Sequence, residues 1–222
     1  MAITLLEGLT DEEQRTLLAK SRVRMLSARD KLAAEGDKAD FAALIQLGHL
    51  KLTRASPDGS EVIVRYMGPG EPFAAIAVLP DARFPVTATA VTPLRVLVWR
   101  AADIRALSDA IPRLKTNLML AMSGHMTGAL TRVQELTSDR VPQRVARAIV
   151  RMARDFGERT PQGWRIVHPI TRQELADLTG TTLFTVSRLV SAWESDGLLR
   201  TSRGAMTVVD PDALEETAAS SE

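Results

Sequence analysis

The 222-residue chain contains no cysteine, which excludes disulfide bonds, thiolate-bound iron–sulfur clusters and cysteine nucleophiles and fits a reducing compartment. It also lacks an apolar run near the ~20 residues that a membrane-spanning helix needs, and its amino terminus lacks the basic and then apolar layout of a signal peptide. Nor does the sequence contain a nucleophile–base set, a cluster of metal-ligating residues or a glycine-rich phosphate loop. We therefore predict a soluble, cytoplasmic protein that is not an enzyme.

Lysine is absent after Lys115, so the strongly basic side chains beyond that point are all arginines. The segment from Arg140 to Val209 holds eleven arginines against six acidic residues, an excess of five positive charges that the formal net charge of +1 conceals. Guanidinium groups bind phosphate in a planar, forked geometry, and this segment therefore favours a polyanionic partner. A GC-rich genome, whose codons favour arginine, explains the composition equally well.

Short alternating runs separated by turn residues fill the sequence between Val23 and about Ile104. HLKLTR, EVIVRYM, PVTATAV and LRVLVW lie at 49–54, 61–67, 85–91 and 94–99, and SPDG and GPGEP are turn sequences. Alternation with a period of two predicts strands of a β-barrel or sandwich. Before this region, Thr10 and Glu13 have the capping-box spacing and predict a short helix.

A run without proline after Pro112 predicts one long helix to about Ser138, with an apolar residue every three or four positions. Such a stripe usually packs on its own domain. Because this helix joins two halves of the chain with different sequence patterns, we favour a coiled-coil dimer interface. The predicted interface residues are Leu114, Leu118, Met122, His125, Ala129 and Leu136. Gly124 and Gly128 lower helix stability and would allow a partner helix or a ligand to approach the backbone.

The sequence TRQELADLTGTTLFTVSR at 171–188 has the pattern of two short helices joined by a glycine turn. Thr171 and Glu174 form a second capping box, Gly180 makes the turn, and Thr181 or Thr182 caps the next helix. A hairpin predicted at 199–209 would add a wing, which makes the unit a winged helix-turn-helix. A three-helix packing unit without nucleic-acid function has the same pattern.

Two separate stretches resemble the CRP/FNR superfamily of bacterial transcription regulators. ITRQELADLTGTTLFTVSRLVSAWESDGLL is similar to its DNA-binding segment, and LGHLKLTRASPDGSEVIVRYMGPGEPF is similar to its sensor β-roll. The resemblance implies an α+β fold with a double-stranded β-roll (jelly-roll) effector-sensing domain at 1–111, a dimerisation helix at 112–138 and a winged helix-turn-helix domain at 139–222. It also implies a homodimer on a pseudo-palindromic operator, with double-stranded DNA and RNA polymerase as partners.

The chain departs from the family where its members bind cyclic AMP. Ala75 takes the place of the glutamate in the family's Gly-Glu-Leu element, and Pro85-Val86 takes that of its Arg-Ser pair. A buried cyclic phosphate would therefore lack its charge partner, so we do not expect cyclic AMP in the usual mode. The candidate effector pocket comprises Phe73, Ala75, Ile76, Pro85, Val86, Gly124, His125 and Gly128.

The pocket residues are compatible with a small apolar or redox ligand, with haem, or with no ligand at all. The absence of cysteine excludes an iron–sulfur cluster. Haem would need an axial ligand such as the imidazole of His49 or His125, although a strand-surface and an interface role explain these two residues more simply.

In the family, the positions of Leu183, Phe184 and Arg188 face the major groove, where cyclic-AMP-type members carry Arg, Glu and Arg. Arg188 can form the forked contact with guanine, whereas the two apolar residues can read only thymine methyl groups or DNA shape. Packing against the wing is the alternative for them. The predicted DNA-contacting set is Thr171, Arg172, Gln173, Thr182, Leu183, Phe184, Thr185, Ser187 and Arg188, of which the residues at the helix amino termini would hold phosphates.

These observations predict a sequence-specific transcription regulator whose effector is unidentified or absent. The alternative is a haem- or small-ligand sensor module whose winged helix mediates protein contacts. The sequence leaves open the operator, the target genes and the choice between activation and repression.

Overall fold

The computed structural model describes residues 5–56, 61–166, 170–202 and 205–220. The chain divides into two compact units, residues 1–129 and 130–222. Parts of two elements predicted above lie outside the described residues, the turn at 57–59 and the hairpin tip at 203–204. The sequence WRIVH at 164–168 also predicts a strand, and its last two residues lie outside the described part of the chain.

Strands dominate the first unit. Its strands are β1 (Arg22–Leu26), β2 (Lys31–Ala33), β3 (Phe41–Leu47), β4 (Leu50–Ala55), β5 (Glu61–Met67), β6 (Pro72–Phe73), β7 (Thr87–Ala90) and β8 (Leu94–Arg100). They form two four-stranded antiparallel sheets in the orders β1-β8-β3-β6 and β2-β7-β4-β5. Residues of both sheets, such as Val96 and Leu50, meet in one hydrophobic core, and the predicted α+β class with an amino-terminal β-roll is confirmed.

Helices flank these strands in the sequence: α1 (Asp11–Ala19), a 3-10 turn (Ala75–Val78), α2 (Ala101–Ala110) and α3 (Pro112–Ser138). The capping box predicted at Thr10 and Glu13 opens α1. The alternation rule does not predict α2, which begins inside the stretch read as strands. Ile104 and Leu107 are buried at helical spacing there, so the period changes from two to three or four immediately after β8.

The second unit contains the end of α3, the helices α4 (Val141–Phe156), α5 (Arg172–Thr179), α6 (Leu183–Ser195) and α7 (Pro211–Ser220), and a four-stranded sheet. The strands β9 (Gly157–Thr160), β10 (Gly163–Ile166), β11 (Leu199–Ser202) and β12 (Ala205–Val208) lie in the order β11-β12-β10-β9. The core is built on α4, whose Val145, Ile149 and Ala153 are fully buried at helical spacing. Among the described residues, no helix is long and apolar enough to cross a membrane.

Candidate functional site

The helix-turn-helix is fixed by local polar contacts at each helix end. The Thr171 hydroxyl accepts from the Glu174 N–H at 3.0 Å, and the Glu174 carboxylate accepts from the Thr171 N–H at 3.0 Å. Gly180 ends α5 at φ 60° and ψ 45°, a left-handed conformation in which glycine carries no Cβ penalty. The Thr182 hydroxyl then caps α6 by accepting from the Thr185 N–H at 3.2 Å. The predicted motif is therefore assembled by its own side chains.

Helix α6 has one buried and one exposed face. Val186, Val190 and Trp193 are buried, whereas Leu183 is 47% exposed and Phe184 is 77% exposed. A buried position against the wing, the alternative role for these two residues, does not fit this exposure. The first turn of α6 thus presents a small apolar surface to solvent. Such exposure is uncommon for an aromatic side chain that has no binding partner.

Some arginines of the second unit already have partners, and others have none. Three of the four arginines of α4 pair with carboxylates of the unit, Arg147 with Asp139, Arg151 with Glu135 at 2.5 Å and Arg154 with Asp212 at 2.9 Å, and the fourth, Arg144, donates to backbone carbonyls. Within the described part of the chain, no hydrogen bond or ion pair engages the side chains of Arg165, Arg188 and Arg200. The positive charge of these three arginines, which remains available to a polyanion, lies on α6 and on the sheet. This available charge is smaller than the composition suggests.

Arg172, a predicted phosphate contact, already has an internal partner. Its Nη2 lies 3.6 Å from Oε2 of Glu194 near the end of α6. Gln173 donates to Asp177 at 2.7 Å, and Ser187 is half-buried. The helix-end threonines serve as caps, so their hydroxyls are committed to the protein backbone in this structure.

The structure agrees with only part of the interface predicted on α3. Leu114 and Leu118 are buried in the core of the first unit. The prediction that they lie at a dimer interface is therefore wrong, because their side chains already contact their own unit. The apolar positions beside them on the helix are exposed, apart from Met122, which is half-buried and packs against the same core. We call this set the α3 stripe: Met119, Met122, Met126, Ala129, Leu130, Val133 and Leu136.

The α3 stripe keeps a heptad spacing, with 119, 126 and 133 in one row and 122, 129 and 136 in the other. Met122, Ala129 and Leu136 were predicted, and the first row was missed. Met119 and Met126 are 64% and 69% exposed. A two-row apolar stripe with a period of seven is the pattern of a coiled-coil contact.

Part of the predicted effector pocket belongs to the core of the first unit. The Phe73 ring stacks on Phe84, with 5.8 Å between centroids, and both pack near Phe41. Phe73 and Ala75 are buried, whereas Pro85 is exposed and Val86 is half-buried. Phe73 is thus a core aromatic residue rather than the wall of an open pocket.

Ala74, which precedes the 3-10 turn, adopts φ 58° and ψ 36°. Because Ala75 stands in the place of the family's glutamate, Ala74 stands in the place of the glycine in the Gly-Glu-Leu element. Ala74 therefore adopts a left-handed backbone conformation that glycine would tolerate better.

His125 is a half-buried imidazole on α3. Burial, and secondarily the positive charge of Arg65, lowers its pKa from 6.5 to about 4. Arg65 is itself paired with Glu71. His49 is half-buried in the connection between β3 and β4, and its backbone N–H donates to Thr92 Oγ1 at 3.0 Å. His125 is thus a neutral imidazole at ordinary pH, which is the form that ligates iron.

Gly124 and Gly128 are exposed, and a Cβ built at either position would meet no atom within 4 Å. No close approach by a described residue explains these two glycines. Among the described residues, no group of three or more His, Asp or Glu side chains is arranged to hold a metal ion.

Sequence reasoning missed a second set of contacts, at the carboxyl end of α5. Arg132 donates to the Leu178 carbonyl, and Arg144 donates to the Thr179 carbonyl at 2.9 Å. Beside them, the buried Glu135 forms a forked pair with Arg151. These partners are 16 to 46 residues apart in sequence, so no local pattern indicates them.

Comparison with known proteins agrees with this architecture. A cyclic nucleotide-binding domain model matches residues 23–110, and a Crp-like helix-turn-helix domain model matches residues 143–217. The cyclic AMP receptor protein of Thermus thermophilus is 28% identical over 214 residues, 96% of either chain. The CRP-like cAMP-activated global transcriptional regulator of Mycobacterium tuberculosis is 25% identical over 185 residues, 83% of either chain. The solved structure of FixK2 from Bradyrhizobium japonicum shares the fold, with a TM-score of 0.78 and 18% identity over 91% of this chain and 99% of that one.

Proposed function

This chain belongs to the CRP/FNR superfamily of bacterial transcription regulators, and we propose that it acts as a homodimer on a pseudo-palindromic operator without using cyclic AMP in the usual mode. It is a DNA-binding regulator and not an enzyme. We place its action in the cytoplasm, with RNA polymerase as a partner.

The first turns of α6 carry the proposal for DNA recognition. Arg188 is exposed, has no ion-pair or hydrogen-bond partner among the described residues, and lies one helical turn after the exposed Phe184. A free guanidinium on such a helix suits the forked contact with guanine O6 and N7. Leu183 and Phe184 supply apolar surface for thymine methyl groups at neighbouring base pairs. Phosphate contacts from the amino-terminal ends of α5 and α6 would set the register, from Thr171, Arg172, Gln173, Thr182, Thr185 and Ser187.

The α3 stripe supports the homodimer. Its apolar residues follow a heptad from position 119 to position 136, and in a monomer all of them except the half-buried Met122 would remain exposed to water. Pairing two stripes removes them from solvent, which is favourable by roughly 25 cal/mol per Å² of apolar surface. Two recognition helices in one dimer then match two half-sites, which is why the operator is expected to be pseudo-palindromic.

The proposal on cyclic AMP rests on charge. Ala75 and Val86 offer no donor or acceptor side chain where the family grips ribose and phosphate, and Ala75 is buried. Burying an unpaired phosphate is costly. The relatives named for cyclic AMP therefore share the scaffold, and the effector of this chain, if one exists, has different chemistry.

A gel-shift series at increasing salt tests DNA binding. The wild-type dimer is expected to bind selected genomic fragments with an affinity that falls steeply with salt. Arg188→Ala should lose roughly 1–3 kcal/mol per half-site and relax discrimination at one G·C pair. Arg154→Ala removes the same charge from α4 and serves as the matched control with little expected effect. Salt-independent binding, or none, would instead favour a sensor module whose winged helix contacts proteins.

Thymine-to-uracil replacement in the operator tests the apolar contacts, because it removes only the methyl group. It should mimic Leu183→Ala or Phe184→Ala at the contacted positions, with a smaller loss than Arg188→Ala. Both alanine variants should keep wild-type thermal stability, since their side chains are exposed. An operator insensitive to uracil would remove these two residues from base recognition.

A further inference from the structure

Glu194 joins three elements of the DNA-binding unit through one carboxylate. Its Oε1 accepts from the backbone N–H of Thr201 at 3.1 Å and from the Thr201 hydroxyl, which ties the end of α6 to the wing strand β11. Its Oε2 lies 3.6 Å from Nη2 of Arg172, the first residue of α5. The predicted base-contacting and phosphate-contacting residues do not include it.

The two oxygens of Glu194 differ in what they hold. The Thr201 contacts are a close pair of hydrogen bonds to one residue and fix the wing on the recognition helix. The Arg172 contact is longer, involves one nitrogen of the guanidinium, and joins side chains that are 39% and 28% exposed. A partly exposed ion pair of this kind contributes little to stability, so a DNA phosphate can displace it.

Arg172 is also the side chain best placed among the predicted contacts to bind any phosphate regardless of sequence, since it lies at the amino terminus of α5. While Glu194 holds it, the local charge available to non-specific DNA is reduced by one. Non-specific binding depends on such charges almost entirely, whereas operator binding also uses base contacts.

We propose that Glu194 is a positioning residue that lowers non-specific DNA affinity by competing with phosphate for Arg172, while it holds the wing through Thr201. Arg172 leaves the carboxylate for a phosphate when the helix-turn-helix is fully docked. This inference rests on the proposed DNA-binding function and adds a determinant of the ratio between operator and non-specific affinity.

The variant Glu194→Gln separates the two contacts, because an amide oxygen can still accept from Thr201 but carries no charge for Arg172. Fluorescence anisotropy with a non-operator duplex over a salt series is the measurement. One additional phosphate contact per protomer steepens the log–log salt slope by roughly 0.9, which corresponds to about eightfold tighter binding per protomer at 0.1 M salt. Operator affinity should rise by less, so the specificity ratio should fall.

Two further variants make the result specific to Arg172. In an Arg172→Ala background, Glu194→Gln should no longer change the salt slope, because the guanidinium for which Glu194 and a phosphate compete is absent. Glu158→Gln removes one exposed negative charge from the same unit and controls for net charge. Glu194→Ala also loses the Thr201 bonds and should weaken operator binding.

The outcomes separate this inference from the proposed function. If the wild-type protein shows no salt-dependent DNA binding, the proposed function is wrong and the inference with it. If the wild type binds but Glu194→Gln leaves the slope unchanged, only the role of Glu194 is overturned. A slope change that persists in the Arg172→Ala background, or that Glu158→Gln reproduces, equally overturns it, since Glu194 would then act on DNA directly or through net charge.

Discussion

Ala74 holds a backbone conformation that an L-residue with a Cβ adopts at a cost of roughly 1–2 kcal/mol, at φ 58°. Ala74→Gly should therefore raise the free energy of unfolding by about 1 kcal/mol, after the larger entropy of glycine in the unfolded chain is deducted. A thermal melt should show a midpoint increase of about 2–4 °C. Ala77→Gly, a fully buried position in the same 3-10 turn, should lower the midpoint. A lower midpoint for Ala74→Gly as well would contradict the left-handed conformation.

His125 should make stability depend on pH. Its pKa is about 4 in the folded chain, below the ordinary value of 6.5 that applies in the unfolded chain, so the unfolded state takes up the proton first as pH falls. The contribution of the neutral imidazole to stability is complete above pH 6.5. It declines as the pH falls from 6.5 to about 4 and is lost below that.

The check is the difference between wild type and His125→Gln in denaturant unfolding at several pH values, because carboxylates also titrate in this range. The variant should lose less stability than the wild type between pH 6.5 and 4. Parallel curves over that interval would mean that burial does not perturb the imidazole.

At the scale of residues, contacts between side chains close in sequence could be predicted, and contacts between distant ones could not. Both capping boxes could be predicted, since their partners are three residues apart and each Thr–Glu pair satisfies its own backbone donors. The Glu194–Thr201 link and the Arg132–Leu178 contact depend on how elements pack, and no short-range pattern encodes that.

At the scale of elements, two arginines satisfy the carboxyl end of α5. The last carbonyls of a helix lack intrahelical donors, and Arg132 and Arg144 supply donors to Leu178, Thr179 and Gly180 while complementing the helix dipole. Because Arg132 is on α3, the last turns of that helix are part of the DNA-binding unit.

Arg132→Ala should destabilise this unit by about 1–3 kcal/mol, since a partly buried carbonyl loses its donor. Arg132→Lys should recover part of the loss, and the exposed Arg154→Ala should change stability by less than about 0.5 kcal/mol. Chemical denaturation followed by tryptophan fluorescence measures the effect, with Trp193 buried in α6 as the reporter. Equal stability of Arg132→Ala and Arg154→Ala would show that the cap is dispensable.

The bounds of α3 could be predicted from the sequence, because the 27-residue run has no proline after its first residue and carries an apolar residue at every third or fourth position. Its buried face could not. Periodicity gives the existence of an apolar stripe but not its partner, and α3 has two apolar stripes: one buried through Leu114 and Leu118, the other exposed through Met126 and Val133.

For the whole molecule, this distinction changes which substitution tests the homodimer. Met126→Arg or Val133→Arg places like charges across two facing stripes and should yield a folded monomer with weak operator affinity. Leu118→Arg should instead unfold the first unit, because it buries a charge in the core. Thr131→Arg, exposed on α3 outside the stripe, is the control. Sedimentation velocity and circular dichroism together decide, and an unchanged dimer for both stripe variants would contradict the interface.

The α3 stripe also has a chemical consequence. The chain has eight methionines and no cysteine, and Met119, Met122 and Met126 all lie on this surface. Oxidation to the sulfoxide turns each apolar side chain into a polar one and is reversed by dedicated reductases. Mild peroxide should therefore shift the sedimentation profile toward monomer in step with sulfoxide mass, and a variant with leucine at these three positions should resist. In a chain without thiols, the thioethers at this surface would then be the first point at which oxidants alter its assembly.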